Sequence, residues 1–142
     1  MSIASRLPAT GPARLFTVGL IAGVLAAVLN LIVYAIAAAV GVPFDVQMGP
    51  GAPIQPIGAL QFIMASIVPA LIGTGLYALL VRFTRNATPI FIGIAIVVAL
   101  LSLASPLGMQ VALSTRLTLA VLHLTTAAII TLTLLRLAPQ GR

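Results

Sequence analysis

The chain has 142 residues, of which 61% are hydrophobic and only 6% are charged. A soluble domain of this length has too little interior to bury so much apolar surface, so the composition excludes an ordinary soluble protein and favours helices that span a bilayer. The formal net charge of +6 comes from arginines at the ends of apolar runs, where membrane topology explains them better than nucleic-acid binding does.

The first predicted element is a transmembrane helix over about residues 14–40, which Gly41 and Pro43 end. Residues 1–13 precede it as a short polar tail. Basic residues followed by an apolar run also suggest a cleaved signal peptide. The run is roughly 26 residues long, however, against about 7–15 in the apolar part of a signal peptide. We therefore favour a retained spanning helix.

Three further spanning helices are predicted on the same grounds. Pro56 suits the first position of the second helix, and Thr88 with Pro89 forms a cap and first-turn signal for the third. Residues 138–142 form a second short tail. The predicted fold is an all-α, up-down integral membrane bundle in one domain, residues 14–137, with helices over about residues 14–40, 57–81, 89–105 and 115–137.

The arginines orient this bundle in the membrane. With both termini in the cytoplasm, six of the seven arginines lie on the cytoplasmic side, which is a strong positive-inside pattern. These six are Arg6, Arg14, Arg82, Arg85, Arg136 and Arg142. Arg116 then lies outside, the tails are cytoplasmic, and the expected location is the bacterial cytoplasmic (inner) membrane.

The extracytoplasmic loop 41–56 holds four of the ten prolines and Asp45, the only acidic residue. Its glycines and prolines favour turns and argue against regular hydrogen-bonded structure. We predict that Asp45 pairs with Arg116 and clasps the loop over the fourth helix. A shielded pair would contribute more than the about 0–1 kcal/mol of an exposed one. The alternatives are a lid over a binding cavity and two unpaired, solvated charges.

Four segments carry a resemblance to a known family. They are VLNLIVYAIAAAVGVPF, VQMGPG, SIVPALIGTGLYALLVRFTR and LHLTTAAII, in this order from the first helix to the fourth. Through them the chain resembles a bacterial family of small four-helix integral membrane proteins, a domain of unknown function. The resemblance implies four spanning helices, and it implies no activity, substrate or catalytic residue.

Each predicted helix carries a stripe of small residues at about four-residue spacing, with polar groups among them. Such stripes favour close helix packing and interhelical hydrogen bonds. We expect them to face the bundle interior, or alternatively to seal against another subunit. The stripes are Gly19, Gly23, Ala27, Asn30 and Tyr34; Gln61, Ala65, Pro69, Gly73 and Tyr77; Ala95, Ala99 and Ser102; and Arg116, Ala120, His123 and Ala127.

Two polar residues, Asn30 and His123, fall near the middle of their helices. Polar groups at that depth need partners, so we predict that they share the interior and hydrogen-bond directly or through water. His123 has two sharper interpretations, a proton or substrate contact and an axial ligand to haem or a chlorophyll-type pigment. The candidate interior polar site comprises Asn30, Tyr34, Gln61, Tyr77 and His123.

Signatures of catalysis are missing from the sequence. No carboxylate lies in a predicted span, and one histidine without cysteine cannot form a usual protein-only zinc site. We therefore expect a non-enzymatic protein without catalytic or metal residues. The leading hypothesis is an accessory or scaffolding subunit that contacts lipid and other membrane subunits or itself, but no nucleic acid. The alternatives are a binding or transport module for a small neutral or lipophilic molecule and pigment binding through His123.

Overall fold

The computed structural model describes residues 12–49 and 51–138. For Pro12 it describes the backbone alone. The two predicted tails therefore lie almost wholly outside the described residues. Arg6 and Arg142 of the tails and Pro50 of the loop also lie outside the described residues.

Within the described residues the chain forms five helices and two short strands. They are α1 (Pro12–Ala39), β1 (Asp45–Gln47), β2 (Ile54–Pro56), α2 (Ala59–Phe83), α3 (Ala87–Ser102), α4 (Ala104–Gly108) and α5 (Leu113–Leu137). Four helical stretches are long and apolar enough to cross a membrane, with α3 and α4 together forming one of them. The predicted all-α bundle of four spanning helices is confirmed, and the chain is a multi-pass membrane protein.

The third span is longer than the sequence predicts. It runs from Ala87 to Gly108 over 22 residues and is interrupted only at Leu103. Pro106 explains the interruption, because it has no N–H to donate to the carbonyl of Ser102. Pro106 lies inside α4 and does not end the span, so the predicted loop after residue 105 shrinks to residues 109–112.

All four predicted helix starts differ by two residues from the observed ones, and α1 and α5 begin two residues early, at Pro12 and Leu113. Pro56 belongs to β2, and α2 begins at Ala59. The N–H of Gly58 before it donates to Gln61 Oε1 at 3.1 Å. At the other end of α2, the third span begins at Ala87, so Pro89 lies within the first turn, where a missing N–H is tolerated.

The loop between α1 and α2 contains a β-hairpin, contrary to the prediction that its glycines and prolines prevent regular structure. β1 and β2 pair antiparallel, with Val46 opposite Gln55. The glycines and prolines concentrate at the tip, where Gly51 has a φ of 74° that favours glycine. Gln47 Nε2 braces the tip by donating to the carbonyl of Ala52 at 3.1 Å. Turn-forming residues thus close the hairpin, and the flanking residues pair.

The closest packing in the bundle is between α1 and α2. A Cβ added to Gly23 would lie 3.1 Å from Ile67 Cα, and one added to Gly19 would lie 2.9 Å from Thr74 Cβ. The small-residue stripe of α1 therefore faces α2. Rising residue numbers along α1 meet falling numbers along α2, which shows that the two helices are antiparallel.

The first three residues of the predicted α2 stripe lie off the buried face, whereas Tyr77, its last residue, lies on it. Gln61, Ala65 and Pro69 are exposed. The buried residues of α2 are Phe62, Ser66, Ala70, Thr74 and Tyr77. Small residues on both faces of α2 leave its register ambiguous from the sequence, and the bulky Phe62 fits the interior better than Gln61 does.

Two core clusters occupy opposite ends of the bundle. At the end that carries the hairpin, Phe44 and Val46 pack with residues of α1, α2 and α5. At the other end, residues of α1, α2, α3 and α5 form the second cluster, which includes Val18, Tyr77 and Leu134. We call these the hairpin end and the arginine end, the latter because Arg14, Arg82, Arg85 and Arg136 lie there.

Candidate functional site

The bundle interior contains a polar contact that joins three helices. Asn30 of α1 is only 3% exposed. Its Nδ2 donates to Ser66 Oγ of α2 and to Thr126 Oγ1 of α5, each at 2.8 Å. Ser66 Oγ in turn donates to the carbonyl of Phe62 at 2.8 Å. Because no water competes for such groups between spanning helices, this Asn30 contact fixes α1, α2 and α5 at a common depth.

The Asn30 contact is chemically neutral. An amide and two hydroxyls do not ionise near neutral pH, so the contact holds helices together without a group that gains or loses a proton there. Asn30 Oδ1 is buried and has no hydrogen-bond partner among the described residues. The amide therefore keeps one unused acceptor, which offsets part of the stabilisation from its two donated bonds.

Sequence reasoning identified Asn30 but missed its partners. Ser66 and Thr126 lie on the buried faces of α2 and α5, one or more positions away from the predicted stripes. Hydroxyls within spanning helices commonly bond to their own backbone, which hides an interhelical role. The usable signal was the regular spacing of Phe62, Ser66, Ala70 and Thr74.

His123 does not form the direct hydrogen bond predicted with Asn30. The half-buried imidazole uses Nδ1 to donate to the carbonyl of Leu119, 2.7 Å away and one turn earlier in α5. Because a carbonyl only accepts, this bond places a proton on Nδ1 and leaves Nε2 as the nitrogen that could bind a ligand. Within the described residues no group of three His, Cys, Asp or Glu side chains could hold a metal ion.

The other members of the predicted polar site lie apart from Asn30. Tyr34 packs against Phe44 and Phe62 at the hairpin end, with both ring centroids 4.8 Å away. Tyr77 is fully buried near the arginine end, where its ring meets Phe91 at 5.1 Å. Gln61 is exposed and caps the start of α2. The five residues therefore do not surround one cavity.

The predicted clasp between Asp45 and Arg116 is not formed in the described part of the chain. Asp45 is exposed in β1, whereas an Nη of Arg116 donates to the carbonyl of Leu107 in α4. The Nε of Arg116 is buried without a partner among the described residues. Apolar contacts hold the hairpin instead, since Val46 is 2% exposed and Phe44 packs edge-on against Phe62 at 5.4 Å.

Two apolar clefts open on the outer wall of the bundle. The larger, of about 420 Å³, lies between α1 and α5 and is lined by Val33, Ile36, Ala37, Val40, Val42, Leu117, Thr118 and Val121. The smaller, of about 220 Å³, lies between α3 and α5 and is lined by Ile92, Ala95, Ile96, Ala99, Leu124, Ala127, Ala128 and Thr131. Alanines from the predicted stripes of α3 and α5 thus face each other across the smaller cleft. We call it the α3–α5 cleft.

Comparison with known proteins places the chain in a family. No curated protein and no solved structure matches it. One family model matches residues 10–140, which include all the described helices and the hairpin. The chain therefore belongs to DUF6069, a family of unknown function.

Proposed function

We propose that this protein is a non-enzymatic accessory or scaffolding subunit that holds a helix of another membrane protein subunit in its α3–α5 cleft. The observation that carries the proposal is an apolar cleft between two spanning helices, in which four of the eight lining residues are alanines. Small side chains let helix backbones approach closely, and van der Waals packing drives helix association in lipid. A partner helix would therefore gain packing there.

The packing elsewhere in the molecule supports this use of the cleft. The space beside the glycines of α1 is already occupied by α2, since a Cβ added to Gly23 would lie 3.1 Å from Ile67 Cα. The alanines of the α3–α5 cleft have no such cover. The third span is also the least enclosed of the four, with 11% of an apolar 18-residue window buried against 33% of such a window in the first. The third span and α5 thus offer surface that the chain does not use itself.

The proposal includes an orientation and a location. The termini lie in the cytoplasm, the hairpin lies outside, and the protein occupies the bacterial cytoplasmic membrane. The arginines of the arginine end support this orientation, because positive residues favour the cytoplasmic side.

Site-specific crosslinking in native membranes tests the partner. Because the sequence has no cysteine, single cysteines can be introduced without background. Ala128→Cys places a thiol in the cleft, and Ile72→Cys places one on the exposed wall of α2 as the matched control. We expect a discrete crosslinked species from Ala128→Cys only. Filling the cleft with Ala95→Leu in the Ala128→Cys background should abolish it.

Several results would count against this function. One is equal crosslinking from both cysteines, and another is a lone monomer in a mild detergent. An absorption spectrum of the same sample tests pigment binding, since a visible band lost in His123→Ala would support that alternative.

A second candidate function, binding of a lipophilic molecule, is supported by the larger cleft between α1 and α5. Its volume of about 420 Å³ falls within the range of small-molecule sites, and its lining is apolar apart from Thr118. A bound molecule would be recovered by organic extraction of the purified protein. Val121→Phe, which narrows this cleft, should reduce the recovered amount, whereas Ile72→Phe on the wall of α2 should not.

A further inference from the structure

The arginine end concentrates positive charge at one end of the bundle. Arg82 lies in the last turn of α2, Arg85 in the turn before α3, and Arg136 in the last turn of α5. All three are exposed. They come from different helix ends, which the fold places at the same end of the bundle.

One core cluster brings these helix ends together. Val81 and Leu135 both pack against the cluster that contains Tyr77 and Leu134. Val81 precedes Arg82 and Leu135 precedes Arg136 in the chain. The two arginines therefore lie at the edge of the same apolar cluster. Tyr77 also packs against Phe91 of α3, which ties the turn that carries Arg85 to this edge.

No acidic side chain of the chain can neutralise this end. The sequence has one acidic residue, Asp45, and it lies in the hairpin at the opposite end of the bundle. Three positive charges at one end of the bundle, without an acidic side chain there, favour binding of an anion. Guanidinium groups bind phosphate oxygens in a planar, two-bond geometry, which makes phosphate a suitable ligand.

The depth of the arginines identifies the source of the phosphate. α2 has 25 residues and is therefore about 38 Å long, which exceeds a hydrocarbon core of about 30 Å. A helix of this length can place its last turn among lipid headgroups. Phe83 beside Arg82 is 74% exposed, and the guanidinium lies 5.4 Å from its ring centroid. An exposed aromatic beside a cation suits the boundary between hydrocarbon and headgroups.

We propose that Arg82, Arg85 and Arg136 form a binding surface for the phosphates of anionic phospholipid headgroups. The surface selects anionic over zwitterionic lipids because the fold brings positive charge to this end without acidic side chains. It lies at the arginine end, so it does not depend on a partner in the α3–α5 cleft.

Native mass spectrometry of the detergent-purified protein with added lipids tests the surface. The probes are phosphatidylglycerol, phosphatidylcholine and inorganic phosphate. We expect the protein to retain phosphatidylglycerol in preference to phosphatidylcholine. The triple variant R82Q/R85Q/R136Q should bind phosphatidylglycerol on the order of a hundredfold more weakly, from about fivefold per arginine. Arg116→Gln, which removes the arginine of the hairpin end, should bind it like the unmodified protein.

A charge-preserving variant separates loss of binding from loss of folding. R82K/R85K/R136K keeps three positive charges and should retain most of the preference for phosphatidylglycerol. Equal retention of both lipids by the unmodified protein, undiminished binding by the glutamine variant, or lost preference in a folded lysine variant would each overturn the proposal. Displacement of the lipid by millimolar inorganic phosphate would also overturn it, because the surface would then bind free phosphate.

Discussion

At the scale of single residues, Asn30 shows how one polar side chain can fix the relative positions of three helices in an apolar bundle. Its two donated hydrogen bonds reach two other helices, and its burial leaves no water to replace them. Apolar side chains lack this directional preference, because lipid tails solvate them as well as a neighbouring helix does. The Asn30 contact therefore specifies helix register more than it adds bulk stability.

Asn30→Ala should destabilise the bundle by about 1 kcal/mol, since interhelical hydrogen bonds in membranes typically contribute about 0.6 and at most about 1.7 kcal/mol. Unfolding with increasing denaturing detergent, followed by circular dichroism, measures the change. Thr125→Ala is the matched control, because the Thr125 hydroxyl bonds only to the backbone of its own helix. A double-mutant cycle of Asn30→Ala with Thr126→Val should show coupling, and additive effects would contradict the contact.

Gly23 is the second residue whose local geometry permits a sharp test. Its missing Cβ would lie 3.1 Å from Ile67 Cα, so Gly23→Ala requires α1 and α2 to shift relative to each other by a few tenths of an ångström. We expect a loss of about 1–3 kcal/mol, typical of overpacking. Gly93→Ala is the matched control, because nothing lies within 4 Å of its added Cβ. If both variants unfold at the same detergent concentration, the close approach of α1 and α2 does not exist.

At the scale of elements, the hairpin is held by apolar burial. Val46 and Phe44 enter the core of the hairpin end, while Asp45 between them points to the surface, as alternation along a strand requires. The sequence drew attention to Asp45 because it is the only acid. Alternation was harder to see, since each strand has only three residues.

Val46→Ala should therefore destabilise the hairpin by about 2 kcal/mol, a value typical of removing buried methyl groups. Asp45→Asn should change stability by less than about 0.5 kcal/mol, as expected of an exposed surface residue. Limited proteolysis at residues 48–53 reports local opening of the hairpin. Faster cleavage in Asp45→Asn than in Val46→Ala would show that a charge contact fastens this element.

The elements also show how far the sequence predicts the fold. Long apolar runs predict four spans, because the bilayer sets the length of each helix. They do not predict which face is buried, since lipid-facing and core-facing residues are both apolar. Of the predicted α2 stripe, Gln61, Ala65 and Pro69 are consequently exposed, Gly73 is half-buried, and only Tyr77 is buried. The partners of Asn30 depend on how three helices are rotated, and no single helix contains that information.

At the scale of the whole molecule, charge and apolar surface are separated. Positive residues gather at the arginine end, the hairpin covers the opposite end, and the clefts lie on the walls between them. The proposed functions use these regions differently. A partner helix would contact one wall, and anionic lipid would contact one end. The orientation of the bundle decides which leaflet supplies that lipid.

Orientation is therefore the last property to test, and the cysteine-free sequence permits a direct measurement. Met48→Cys places a thiol at the exposed tip of the hairpin, and Asn86→Cys places one in the exposed turn between α2 and α3. An impermeant maleimide added to intact cells should label the first and not the second, because the arginines favour the cytoplasmic side. Permeabilised cells, in which both thiols should react, control for accessibility. The reverse pattern would place the arginine end outside and assign the lipid-binding surface to the other leaflet.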